Sequence, residues 1–114
     1  MLNIKDKCIV ECIIKHSQNI LEDISGFSED EFYKDRKTSN SVCFDILQIG
    51  ELAKSLSDEF ILKFNQVPWK EIKGMRDWVA HGGYHSIEMK RVWKTATVDI
   101  KPLLDYCEEI LKEN

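Results

Sequence analysis

Arg76 and His81 stand five residues apart, with Asp77 between them and four before the histidine. Arginine keeps its charge at any physiological pH, and its planar fork matches phosphate oxygens. Histidine takes up or releases a proton near neutral pH. A carboxylate four residues before a histidine on a helix can meet the imidazole and fix its tautomer. Together the three suit a phosphodiester that carries its own nucleophile. RNA is such a substrate. A base removes the 2′-hydroxyl proton, a cation stabilises the charged phosphorus centre, and an acid protonates the departing 5′-oxygen. None of these roles calls for a metal or a cofactor, and neither is expected. One motif histidine per chain is thin for two proton transfers, and a two-fold homodimer would supply a second set.

Taken alone, an arginine and a histidine at this spacing are a weak signal, because the pair recurs by chance. Five residues on a regular helix also turn the second side chain by roughly 140° from the first. The two converge if the helix ends near Ala80 and His81 swings out on the following turn. Gly82 and Gly83 make such an ending plausible. Tyr84 follows on that turn, where it can stack on a base, donate to phosphate, or simply pack on the bundle end. Glu51, directly after Gly50, interrupts the apolar middle of another helix. It reads as a buried partner for a cation such as Arg76, or as a solvated side chain, and Gly50 lets a neighbouring helix or ligand come close. Lys73, Glu51, Gly82 and Gly83 complete the candidate supports and substrate contacts.

Charge points to the same region. The chain has a formal net charge of −4, which argues against a general nucleic-acid coat. Residues 69–101 nevertheless hold 7 basic and 4 acidic side chains, and this is the only basic stretch. Positive charge beside candidate chemistry suits a phosphate-bearing ligand, although a solvated helix face would look similar.

The 114 residues fit one domain spanning 1–114, and 43% of them are hydrophobic, enough for a core. No apolar run is long enough for a membrane span and the N-terminus lacks a signal-peptide layout, so a cytoplasmic location is expected. Cys8, Cys12, Cys43 and Cys107 are then read as reduced and mostly buried. Cys8, Cys12 and His16 step by four, as zinc ligands can, but no fourth ligand is visible and core packing is the simpler reading.

The apolar pattern is helical almost throughout. Ile9, Ile13, Ile20 and Ile24 mark a first helix that ends at Gly26. Ser28 caps a short helix through about Asp35, and Thr38, Ser39 or Asn40 caps the next. That helix carries the stripe Val42, Ile46, Ile49, Ala53 and Leu56. Asp58 opens a short turn through Phe64, and Trp69 begins the helix that leads to the motif. Ser86 is expected to cap the last helix, with Met89 at its third position. Val92, Ala96, Ile100, Leu103, Cys107 and Ile110 form its inner face, and Pro102 should kink or divide it near Asp99. Trp69, Trp78 and Trp93 read as core and interface anchors. With no period-two alternation, the expected fold is all-α, an up-and-down bundle of four to five helices.

Several ordered segments resemble one family. They are Gln48-Ile49-Gly50-Glu51-Leu52-Ala53-Lys54, Val67-Pro68-Trp69-Lys70-Glu71-Ile72, and Gly74-Met75-Arg76-Asp77 through His81 and Gly82. Val92-Trp93-Lys94-Thr95 and the break Asp99-Ile100-Lys101-Pro102-Leu103 extend the match. The chain is similar to the HepT-like branch of the HEPN superfamily over most of its length. The resemblance implies a homodimeric helical bundle with its Arg-x4-His motif at an interface cleft. It also implies a ribonuclease toxin whose partner is a cognate minimal nucleotidyltransferase. That antitoxin neutralises the toxin by transferring AMP to the motif tyrosine. By position, Arg76 and His81 are the catalytic pair, Asp77 takes the polar position after the arginine, and Tyr84 is the acceptor. The family pattern has one residue between histidine and tyrosine, whereas here there are two, Gly82 and Gly83. That departure, with the acidic net charge, leaves a second reading: a non-catalytic module that docks a nucleotidyltransferase or a nucleotide.

Overall fold

The computed structural model describes residues 2–82 and 88–113, with residues 81 and 82 described by their backbone alone. Its described residues are helical with no strand. Helix α1 (Ile4–Ile24) is followed by the short α2 (Glu29–Lys34), then α3 (Arg36–Lys54), the short α4 (Asp58–Lys63), and α5 (Trp69–Gly82). Helix α6 (Met89–Lys94) passes through a π-helical turn (Thr95–Asp99) into α7 (Ile100–Glu113). The long helices make the expected all-α bundle. α3 lies between α1 and α5, and α1 packs on its other side against α7.

Local chemistry explains where most elements begin and end. Asn3 accepts a hydrogen bond from the Asp6 amide and starts α1. Gly26, at φ 82°, takes the left-handed conformation just past its end, which costs a glycine nothing sterically. Ser28 and Glu31 form a reciprocal capping box on α2, satisfying two amides the helix leaves unpaired. Helix α3 starts earlier than expected. Its cap is Asp35, which accepts from the Thr38 amide, rather than Thr38, Ser39 or Asn40. An Asp that closes one helix thus opens the next, so α2 and α3 meet without a loop. The last helix starts later than expected: Met89 is its first residue and Glu88 its cap position, with no side-chain cap bond. Ser86 itself lies outside the described residues.

Pro102 acts as its chemistry demands. It has no amide hydrogen, and its ring collides with the carbonyl four residues back. The chain answers with the π turn, in which the Ile100 amide bonds to the Thr95 carbonyl, five residues back. The axis is therefore divided at Asp99 and not broken.

Val42, Ile46, Ile49 and Ala53 of α3, Leu56 of the turn just past its end, and all six stripe residues of the last helix are buried. Trp69 is buried and donates its Nε1 hydrogen to the Phe64 carbonyl at 3.0 Å, while Trp78 and Trp93 pack against the core from partly buried positions. A buried carboxylate ties the N-terminus in. Asp6 accepts from the Ser57 amide at 3.0 Å and from the Ser57 hydroxyl at 2.6 Å. Ser57 in turn caps α4, so one side chain links the starts of two helices.

Helices α3 and α5 make a close backbone contact. A Cβ placed on Gly50 would come within 2.5 Å of the Arg76 amide nitrogen and 2.8 Å of its Cβ. Only a glycine fits there. At Gly74, two residues before Arg76 on α5, a Cβ would meet nothing within 4 Å.

The cysteines depart in part from the expectation of burial. Cys43 and Cys107 are buried, but Cys8 and Cys12 are exposed. On α1 the buried positions are Asp6, Ile9, Val10, Ile13, Ser17 and Ile20, so residues 8 and 12 fall on the outer side of the helix. Burial pushes the Cys107 thiol up to about 12 and raises the Cys43 thiol as well.

These contrasts are measurable. Gly50→Ala should destabilise the protein by about 1–3 kcal/mol in denaturant unfolding, because overpacking against a backbone outweighs the gain in helix propensity. Gly74→Ala should stabilise it by roughly 0.5–1 kcal/mol, since only propensity changes. Thiol labelling at pH 8 should modify Cys8 and Cys12 rapidly in the native protein, with Cys43 and Cys107 reacting only after unfolding. Rapid native labelling of Cys107 would contradict its burial.

Candidate active site

The α3–α5 contact brings together the charged side chains of two helices. Because Gly50 admits the backbone of Arg76, the next residue on α3, Glu51, reaches the arginine side chain. Arg76 Nε donates to Glu51 Oε1 at 2.6 Å. The Arg76 Nη1 nitrogen lies 3.6 Å from Asp77 Oδ1, and Lys54 Nζ donates to the same oxygen at 3.1 Å. Two cations and two carboxylates therefore alternate across the two helices, Glu51 and Lys54 from α3, Arg76 and Asp77 from α5. Lys73 lies three residues before Arg76 on α5, partly buried.

Of the two readings for Glu51, the structure selects the partner for Arg76, but not the buried one. Its side chain is 48% exposed and that of Arg76 36% exposed. An ion pair this open to water adds little stability. Its consequence is geometric. The Nε–H edge of the guanidinium is held by Glu51, so the terminal nitrogens point along a defined direction, as a phosphate-binding fork requires.

The expected ending of α5 near Ala80 does not occur. The helix continues through His81 to Gly82. Glycine tolerates helical as well as left-handed backbone, so a glycine pair permits a stop without compelling one at its first member. Positions 76 and 81 therefore keep the roughly 140° separation of a regular helix, while 77 and 81 stay one turn apart on a shared face. The side chains of His81 and Gly82, and Gly83 and Tyr84 altogether, lie outside the described residues.

Two participants were not singled out in the sequence. Lys54 bridges to Asp77, and its signal was its place three residues after Glu51 on one helix face. Arg91 lies over the ring of Trp78, 4.3 Å from its centroid, a cation–π contact that depends on how α6 packs on α5. His16, considered as a metal ligand with Cys8 and Cys12, has its Nδ1 2.8 Å from Asp45 Oδ1. Burial raises Asp45 from the usual carboxylate range, against the opposing effect of His16. Among the described residues no group of three His, Cys, Asp or Glu side chains could hold a metal ion, and no helix is long and apolar enough to cross a membrane.

The chain matches known proteins along most of its length. The family model described as "Ribonuclease HepT-like" matches residues 14–110. A protein of Caldanaerobacter subterraneus subsp. tengcongensis named as a putative RNase is 34% identical, over 91% of this chain and 92% of its own. One of Methanocaldococcus jannaschii, also named as a putative RNase, is 33% identical over 89% of this chain and 83% of its own. A protein of Thermococcus cleftensis named as a probable ribonuclease HepT is 31% identical over 73% and 74%. No solved structure matches. With the matched region running from α1 to α7 and enclosing both halves of the Glu51–Arg76 contact, the chain belongs to the HepT-like ribonuclease family of the HEPN superfamily.

Proposed function

We propose that the protein is a metal-independent endoribonuclease, the toxin of a toxin–antitoxin pair, acting through Arg76 and His81 at a homodimer cleft. The observation that carries this reading is the clamp on Arg76: its guanidinium is fixed by Glu51 at 2.6 Å yet remains more than a third exposed. A cation so placed is oriented for a ligand and not consumed by the core.

In this mechanism His81 takes the 2′-hydroxyl proton, and the 2′-oxygen attacks phosphorus. The bond to the 5′-oxygen breaks, leaving a 2′,3′-cyclic phosphate and a free 5′-hydroxyl. Arg76 binds the non-bridging oxygens and stabilises the added charge. The partner's His81, in its protonated form, gives a proton to the 5′-oxygen. The rotation between positions 76 and 81 favours this two-fold arrangement, because a regular helix presents them on different faces. Asp77, one turn before His81, orients the imidazole.

Regulation in this reading falls to a cognate nucleotidyltransferase that transfers AMP to the Tyr84 hydroxyl. The observation supporting it is the family itself together with a tyrosine three residues after His81, one residue farther than in the family pattern.

Arg76→Ala and His81→Ala should each lower cleavage of single-stranded RNA by about 100-fold or more, with activity unchanged by EDTA. Wild-type protein that is harmless on induction and leaves RNA intact would reject cleavage and favour a docking module. Glu51→Ala should lower kcat/KM by about 10-fold through loss of Arg76 orientation, while stability changes by less than about 1 kcal/mol as befits an exposed pair. Mass spectrometry after co-expression with a cognate nucleotidyltransferase should find AMP on Tyr84. An unmodified Tyr84 in a neutralised toxin would reject it as the acceptor.

A further inference from the structure

Between α5 and the α6–π–α7 helix runs a cleft of about 510 Å³ that the Arg76 cluster does not use. Arg76 turns toward α3, whereas Met75 and Trp78 line the cleft from α5. The volume falls within the roughly 300–1,000 Å³ typical of small-ligand sites. The π turn contributes Thr95 and Asp99 to its wall, and such turns recur at functional sites.

The lining has a definite chemistry. Arg91 and Lys94 bring two positive charges, and Glu71 and Asp99 bring two negative ones, so the cleft does not select a phosphate. Its floor is apolar, with Ile72, Ile100 and Leu103. Flat surfaces stand at two places along it. One is the guanidinium of Arg91 lying on the indole of Trp78. The other is Tyr106, which is 37% exposed on α7. Trp78 stands three residues before position 81 on α5, so the Trp78–Arg91 stack lies toward the C-terminal end of that helix. Tyr106 lines the same cleft from α7. An apolar trough with flat cationic and aromatic faces and acceptors at its rim suits flat rings with polar edges. Unpaired bases of RNA are held in this way, stacked on aromatic rings and on arginine planes.

We infer that this cleft is a base-binding track for single-stranded RNA, holding nucleotides that flank the cleaved phosphate by stacking them on the Arg91–Trp78 pair and on Tyr106. The inference rests on the ribonuclease reading for its substrate, but its test does not depend on cleavage. In the His81→Ala background, a fluorescein-labelled 2′-O-methyl hexanucleotide is titrated and followed by anisotropy. Tyr106→Ala should weaken binding by about 5- to 150-fold, the range for loss of one stacked base. Tyr106→Phe should restore it, since the ring and not the hydroxyl is required. In the active protein, Tyr106→Ala should raise KM for the same all-ribose sequence. Unchanged affinity in Tyr106→Ala overturns the proposal. So does a shift to smaller species in sedimentation with oligonucleotide affinity retained, which would assign the cleft to a second copy of the chain. If wild type cleaves nothing while the Tyr106 arm shows loss and rescue, the ribonuclease reading fails and the base track stands.

Discussion

The contact on which the site depends is the passage of the Arg76 backbone over Gly50. Helices usually keep 8–10 Å between their axes because side chains stand between them. Here one position has no side chain, and a Cβ would lie 2.5 Å from a backbone nitrogen. That single absence sets the distance between α3 and α5, and the distance brings Glu51 and Lys54 within reach of Arg76 and Asp77. A larger residue at position 50 would separate the helices and pull the charged pairs apart together.

The polar chemistry of the protein is divided by depth. Asp6 is buried and satisfied by Asn3 and Ser57, so it joins the starts of α1 and α4. Asp45 is buried beside His16 and bears the cost of desolvation in a raised pKa. The Glu51–Arg76 and Lys54–Asp77 pairs are open to water, where they contribute orientation with little net stability. An open arginine can exchange its solvent for phosphate oxygens without first leaving a core. This division suits a scaffold whose buried carboxylates join one helix to another and whose exposed charges meet a ligand.

Much of this was legible in order along the chain. The stripes on α3 and the last helix are buried as their periodicity predicts, Ser28 and Glu31 form the capping box, and Pro102 divides its helix at Asp99. These are local effects, decided by steric rules and by neighbours within one turn. Helix ends were less legible where several residues compete. Asp35, Thr38, Ser39 and Asn40 all suit a cap, and only the close succession of α2 and α3 selects Asp35. The glycine pair permitted a stop after Ala80, but the helix ran on to Gly82, because permission to leave the helix is not a force that ends it.

By itself the sequence determined the helical class, the buried stripes of α3 and the last helix, the family, and which residue types carry the candidate chemistry. These follow from periodicity, from local sterics and from ordered motifs. Only the tertiary structure decided that Gly50 lies under Arg76, that Glu51 is an exposed clamp and not a buried partner, that Lys54 belongs to the cluster, and that Cys8 and Cys12 face outward. It also decided that Arg91 lies on Trp78. Each of these depends on how one helix is rotated and spaced against another. Periodicity says which face of a helix is buried, but not which residue of a neighbour stands opposite it. The site that opens with Arg76 is thus written in one segment of sequence and assembled by contact with another, 25 residues away.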